Sequence, residues 1–222
     1  MIYGTQKLSL VDYPGKPSFV LFLGGCNFRC PFCHNKGIVE KEFPVIPLED
    51  VLKQLEERIH FIDAIVVTGG EPTIYGDRLI DLLKTLKATG LKIKLDTNGT
   101  HPDLLEKIFN QKLVDYVAMD IKGTWDKYYQ ISGVKVPLQK VKKSIYLLEE
   151  SGISYEFRTT VCKEFHNKEE IEEIKTYFKD PSRYYLQPYQ YSEQQIEDVH
   201  YTPYDTKELE ELHSELLLSV KA

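Results

Sequence analysis

Long apolar runs are missing from this chain of 222 residues. None approaches the roughly 20 residues that a membrane-spanning helix needs. The N-terminus, Met1 to Leu10, lacks the continuous apolar core of a signal peptide, so the sequence predicts a cytoplasmic protein with no membrane partner. An excess of positive charge is missing as well. The formal net charge of −6 argues against a general grip on nucleic acid, which needs a basic stripe to displace counterions from phosphates, and leaves room only for a local basic patch. No Pro-, Gly- or Ser-rich linker divides the chain, so residues 1–222 read as a single domain, with 1–17 as N-terminal lead-in and 191–222 as C-terminal loop and helix. Hydrophobic residues at 42% and charged residues at 28% suffice for an ordinary core. Cysteine is scarce, which makes its placement informative: three of the four lie within eight residues, in Cys26-Asn-Phe-Arg-Cys30-Pro-Phe-Cys33.

Three thiolates on one loop make a metal site. The loop follows Phe19 to Leu23, which reads as a buried strand, and Gly24-Gly25 frees the backbone to enter it. A closed zinc site needs four protein ligands, so here it would recruit His34 or a distant side chain. An iron–sulfur cluster is normally held by four cysteines, and a four-iron cluster given only three keeps one iron open to another ligand. Disulfides are disfavoured by a reducing compartment and by the tightness of the loop. Cys162 stands alone and reads as a small buried side chain at a strand end.

Along the chain, short apolar strands alternate with helical periodicity. Strands are expected near 18–23, 62–67, 91–95, 114–119, 153–157 and 183–187. Between them, Leu48, Val51, Leu52, Leu55 and Ile59, then Leu79, Ile80, Leu83 and Leu86, form helical faces, and similar faces follow each later strand. Asn167 with Glu170, and Asp205 with Glu208, mark helix starts. Six βα units in series predict an α/β fold with a parallel sheet and right-handed crossovers, a partial open (β/α)6 barrel.

In such a barrel the loops after the carboxyl ends of the strands share one face. The polar motifs follow that rule: the cysteines, Gly69-Gly70-Glu71-Pro72, Asp96-Thr97-Asn98-Gly99, Asp120 and Lys122, Arg158 within the fifth strand, and Gln187-Pro188-Tyr189-Gln190 after the sixth. Gly69 and Gly70 let a ligand approach the backbone closely, with a turn capped by Glu71 as the plainer reading. Asp96 and Asp120 each need a partner at a strand end, and Lys122 and Arg158 either neutralise them or face a ligand.

The spacing CxxxCxxC resembles that of the radical S-adenosylmethionine (SAM) family. The resemblance implies a 4Fe–4S cluster on Cys26, Cys30 and Cys33 whose open iron chelates SAM and, when reduced, splits it into methionine and a 5′-deoxyadenosyl radical. The GGEP string resembles the family's segment that binds the amino group of SAM. Position by position, residues 10 to 190 resemble the activating enzymes of glycyl radical enzymes, most of all those of anaerobic ribonucleoside-triphosphate reductase; CxxCHN, Cys30 to Asn35, is the local signature. By that resemblance Gly69, Gly70, Glu71, Asp96, Asn98, Lys122 and Arg158 bind SAM, and Asp96, Thr97, the Ala118 carbonyl and Asp120 hold a monovalent cation through oxygens suited to a hard ion. His34, Gln187, Tyr189 and Gln190 are candidate contacts to SAM or substrate; Gln190 departs from the pyruvate formate-lyase activase, which has a SAM-contacting His there. No cysteine-rich insert is present, so one cluster is expected. The implied partners are a glycyl radical enzyme and a reduced flavodoxin or ferredoxin.

Two rivals remain at this level. A small-molecule enzyme of the 7-carboxy-7-deazaguanine synthase type shares the length and a GGEP segment, but commonly carries Asp-Thr where this chain has His34-Asn35. A zinc-stabilised binding module leaves the strand-end motifs unexplained.

Overall fold

The computed structural model describes residues 1–216 and the backbone of Ser219–Val220. One sheet of eight strands runs in sequence order: β1 (Ile2–Ser9), β2 (Ser18–Leu23), β3 (Ala64–Gly69), β4 (Lys92–Thr97), β5 (Tyr116–Asp120), β6 (Ser154–Val161), β7 (Tyr184–Pro188) and β8 (Ser219–Val220). Among the described residues, strands β2 to β8 are parallel and β1 is antiparallel, against β2. The sheet is open, with β1 and β8 as its edges. Strands β2 to β7 are the six expected from the sequence, the second beginning and ending two residues later than periodicity placed it.

Helices α2 (Leu48–Glu56), α3 (Asp77–Lys87), α4 (Pro102–Asn110), α6 (Leu138–Glu150), α7 (Lys168–Lys175) and α8 (Thr206–Leu216) pack into the main core, while the short α1 (Lys36–Val39) and α5 (Tyr128–Ser132) lie against the cysteine loop. Both expected helix starts are capping boxes, Asn167 with Glu170 and Asp205 with Glu208. The lead-in expected over residues 1–17 instead carries β1. Register shifts at Ile2/Gly4 and Gln6/Ser9 break its two-residue alternation, which hid the strand from periodicity. The expected C-terminal loop and helix are described as far as Leu216, joined by β8; residues 217–218 and 221–222 lie outside the described residues.

Alternation along the strands sorts two environments. Phe19, Leu21, Leu23, Ile65, Val67, Ile93, Leu95, Val117, Met119 and Phe157 face the helices and form the main core. Each fully buried Leu, Ile or Phe there contributes about 1.5–3 kcal/mol relative to exposure. On the other face, Tyr13, Val20, Ala64 and Val66, with Phe22 and Tyr116 against them, plug the foot of the barrel. Above that plug the interior turns polar, and the carboxyl ends of the strands open onto it. Among the described residues no helix is long and apolar enough to cross a membrane.

Candidate active site

The cysteine loop leaves β2 through Gly24 and Gly25, whose N–H groups donate to Met1 O at 3.1 Å and Ile38 O at 2.8 Å. Cys30 is buried and Cys26 and Cys33 are half-buried. Phe28 N donates to Cys26 Sγ at 3.3 Å. Burial pushes the Cys26 thiol up to about 12 and that of Cys30 to about 11, and raises Cys33 too. The free sulfurs are therefore neutral thiols at pH 7, and only a bonded metal would make thiolates of them. Among the described residues no three His, Cys, Asp or Glu side chains converge on the point that a single ion would occupy.

Gly69 and Gly70 fulfil a requirement of the backbone. Gly69 has φ +128° and a Cβ there would lie 2.2 Å from Leu23 O; a Cβ on Gly70 would lie 2.0 Å from Gly25 O. No side chain fits, so the turn after β3 lies flat against the start of the cysteine loop, with Gly70 N donating to Leu23 O and Glu71 N to Gly25 O, both at 2.9 Å. Glu71 is buried and accepts from Thr73 N (3.0 Å), Thr73 Oγ1 (2.5 Å), Thr97 Oγ1 (2.8 Å) and Asn98 N (2.6 Å). Burial raises its pKa and these donors oppose the shift.

Asn98 commits its side chain inside the protein: Nδ2 donates to Asn27 Oδ1 at 2.8 Å, and Oδ1 accepts from Thr100 N and Thr100 Oγ1. Asn27 Nδ2 in turn donates to Thr100 Oγ1 at 2.8 Å. Because the hydroxyls of Thr73 and Thr100 already donate to Glu71 and Asn98, His101 Nδ1, 2.9 Å and 3.1 Å from them, is the donor to both. The loops after β2, β3 and β4 are thus fastened into one unit.

A charged layer lies beside that unit. Arg158 Nε donates to Asp120 Oδ1 at 2.9 Å, its Nη2 is 3.5 Å from Asp96 Oδ2 and its Nη1 3.8 Å from Glu156 Oε1. Lys94, buried at 1% exposure, places Nζ 2.7 Å from Asp96 Oδ1, an ion pair in which Oδ1 has no well-formed hydrogen bond. Lys122 Nζ is 3.3 Å from Asp120 Oδ2. Burial works against ionising Asp96 and Asp120, but Lys94 and Arg158 hold the first below the usual carboxylate range, and Arg158 and Lys122 hold the second down to about 2. The layer contains as many side-chain cations as carboxylates, so Lys122 and Arg158 do neutralise the two aspartates. Ala118 sits between Asp96 and Glu156 in the register of β4, β5 and β6. Thr97 Oγ1 is engaged with Glu71 and with Gly99 N.

The other expected contacts divide. His34 and Gln190 are exposed and Gln187 is half-buried. Tyr189 is turned under the chain that follows it, in a cluster with Phe32, Ile131, Cys162 and Phe165. Its Oη donates to Gln195 Oε1 at 2.8 Å, and Gln195 Nε2 donates to the carbonyls of Glu197 and Val199. Ile196 N donates to Cys33 O and Glu197 N to Pro31 O, so residues 194–197 strap the far side of the cysteine loop. Cys162 is fully buried in that cluster, as its isolation in the sequence suggested.

Several site residues escaped sequence reasoning. Lys94 and Glu156 share the inward face with Asp96 and Arg158 at two-residue spacing, and that alternation could have found them. Asn27 acts through partners more than 70 residues away and His101 through Thr73, 28 residues away, for which no local signal exists; Gln195 bonds only near neighbours in sequence, but nothing in that stretch marks it as a strap.

Comparison with known proteins agrees with this geometry. The profile of the radical SAM superfamily matches residues 20–178. A Methanocaldococcus jannaschii protein named as a glycyl-radical enzyme activating enzyme is 36% identical over 194 residues, covering 86% of this chain and 80% of that one. The pyruvate formate-lyase-activating enzyme of Clostridium pasteurianum is 33% identical over 137 residues, 58% of this chain and 55% of that one, so the matched region spans about half of that relative. In fold, the crystal structure of Streptococcus suis SuiB bound to S-adenosylmethionine superposes with TM-score 0.69 at 17% identity, over 91% of this chain and 52% of that one. The thiol loop, the glycine turn and the strand-end charges thus belong to a radical SAM enzyme of the glycyl-radical-enzyme-activating type.

Proposed function

We propose that this chain activates anaerobic ribonucleoside-triphosphate reductase by generating a glycyl radical on it, with Cys26, Cys30 and Cys33 holding a single 4Fe–4S cluster. The observation that carries the reading is the fastening of the cysteine loop, through Glu71, Asn27 and Asn98, to the polar mouth of the barrel. The donor set supports it: three soft sulfurs and no converging ligand set for a single ion among the described residues. Bound there, the cluster would supply a low-potential electron that cleaves SAM, and the resulting 5′-deoxyadenosyl radical would take hydrogen from the Cα of one glycine.

The protein's own part is to bind, orient and shield. Carbonyls of the turn at Gly69 and Gly70 would accept from the SAM ammonium, with Glu71 fixing that turn. Lys122 and Arg158 offer cationic donors to the SAM carboxylate, balanced by Asp96 and Asp120. Asn98 acts by holding Asn27 and hence the cysteine loop. Asp96, Thr97, the Ala118 carbonyl and Asp120 form the proposed monovalent-cation site, beside Lys94, whose Nζ already lies 2.7 Å from Asp96 Oδ1. The exposed positions of His34 and Gln190 suit contact with a protein substrate. The reductant is a flavodoxin or ferredoxin, and the compartment the cytoplasm.

The test is anaerobic reconstitution with iron and sulfide counted, followed by dithionite-driven formation of 5′-deoxyadenosine and electron paramagnetic resonance of a mixture with the reductase. A glycyl radical signal is expected. SAM cleavage without that signal would reassign the partner, and zinc without sulfide would overturn the cluster.

A further inference from the structure

The cysteine loop is enclosed on three sides. The barrel mouth meets it through Gly70, Glu71 and Asn98, and residues 194–197 bind its Pro31–Cys33 side. The third side is α5. Arg29 N donates to Ser132 O at 2.8 Å, and Gly133, at φ +69°, lies so close to Arg29 O that a Cβ would come within 2.1 Å of it. Phe28 stands edge-on to Tyr128 with centroids 6.4 Å apart.

Behind Tyr128 the aromatic packing continues outward. Trp125 stacks on Tyr128 at 5.7 Å and 23°, and Tyr177 on Trp125 at 4.2 Å and 17°. Tyr128 is fully buried, whereas Trp125 and Tyr177 are half-buried. Beside the stack an open cleft is lined by Trp125, Tyr128, Tyr129, Lys135, Val136 and Leu138. Lys142, one helical turn beyond Leu138, holds Nζ 4.8 Å from the Trp125 ring centroid. Lys135 and Lys142 are exposed, a positive edge on a chain whose formal net charge is −6. Two carboxylates stand nearby and keep their charge, Asp126 accepting from Thr124 and Glu173 from Tyr177.

We infer that this cleft docks an acidic one-electron carrier protein, and that the Trp125–Tyr128 pair with Phe28 is the packed medium through which its electron reaches the cysteine loop. The inference rests on the cluster reading given above. SAM and a glycine-bearing segment must share the barrel mouth, so a second protein needs another approach. Apolar and aromatic surface rimmed by lysines suits an acidic carrier, with charge governing the rate and orientation of encounter. The carrier loses one electron and the group on the cysteines gains it. No bond forms at the cleft, and the rings are not themselves reduced.

The test uses a recombinant flavodoxin as carrier and has a binding half and a transfer half. In the first, the oxidised flavodoxin is titrated onto the metal-free chain at low and high salt. Lys135→Glu with Lys142→Glu should weaken binding about tenfold and remove most of its salt dependence. In the second, photoreduced flavodoxin at saturating concentration reduces the reconstituted enzyme, so that loss of affinity is separated from loss of transfer; Trp125→Leu should slow that saturated rate about tenfold, while the double lysine variant should keep the wild-type rate of dithionite-driven SAM cleavage. Unchanged affinity in the lysine variant, or no salt-dependent binding to the wild type, overturns the docking site; an unchanged transfer rate in Trp125→Leu overturns the route. If dithionite drives no SAM cleavage in the wild type, the cluster reading fails instead, and the binding half still decides the docking site.

Discussion

Glu71 Oε2 accepts the backbone N–H of Asn98 at 2.6 Å, so a carboxylate on the turn after β3 holds the turn after β4. Its other oxygen gathers Thr73 and Thr97. All the donors point inward, and an amide in its place would direct an N–H₂ group at at least one of them.

Glu71→Gln is therefore expected to cost about 2 kcal/mol, or roughly 5 °C in Tm, and to weaken SAM binding. Thermal unfolding and SAM titration check it. A variant as stable as the wild type would show that the network is dispensable.

Arg158 is in ionic contact with Asp96, Asp120 and Glu156 at once. Arg158→Met leaves buried carboxylates short of a counter-charge and should cost about 3–5 kcal/mol. Urea unfolding measures it, and a loss below about 1 kcal/mol would mean that Lys94 and Lys122 suffice alone.

Gln195 is buried and bonded to Tyr189 and to the carbonyls of Glu197 and Val199. Gln195→Ala strands those partners, at about 1–3 kcal/mol, and should loosen the strap over Pro31 and Cys33. Hydrogen exchange at Ile196 and Glu197 is expected to accelerate about tenfold or more. Unaltered exchange at those two amides would refute the clamp.

Asp115 accepts from Lys87 at 2.6 Å, Ile93 N at 2.9 Å and Lys92 at 3.0 Å. Burial opposes ionisation, but Lys87, the Ile93 amide and Lys92 hold its carboxyl below the usual carboxylate range. A lowered folded pKa contributes stability that is complete above the unfolded value of about 3.9 and is lost as pH falls through the folded one. Asp115→Asn should be about 1 kcal/mol less stable at pH 7, with the gap closing below about pH 4. Denaturation at both ends of that range decides it; a gap independent of pH would remove the ionic explanation.

Much of the barrel was legible because burial on one or both faces writes its period into the sequence. The parallel strands β2 to β7 and the two capping boxes show this. β1 was not legible, since its bulges scramble the alternation and six of its eight residues are exposed or only partly buried. The site was legible wherever one short loop concentrates a chemistry, as in Cys26 to Cys33. It was illegible where side chains act across the barrel. The sequence offered two readings of Gly69 and Gly70, room for a ligand or a turn capped by Glu71; Glu71 does cap that turn, and what presses against the glycines is the backbone of Leu23 and Gly25. Nothing in the string GGEP distinguishes the two.

The strap over the cysteine loop also has an order in time. Its residues 194–197 are translated more than 150 residues after Cys33. At about 5–20 residues per second that interval is on the order of ten seconds or more. A nascent chain therefore presents the three thiols from one side before their cover has been made, and metal delivered during synthesis meets a more open loop than metal offered to the finished fold.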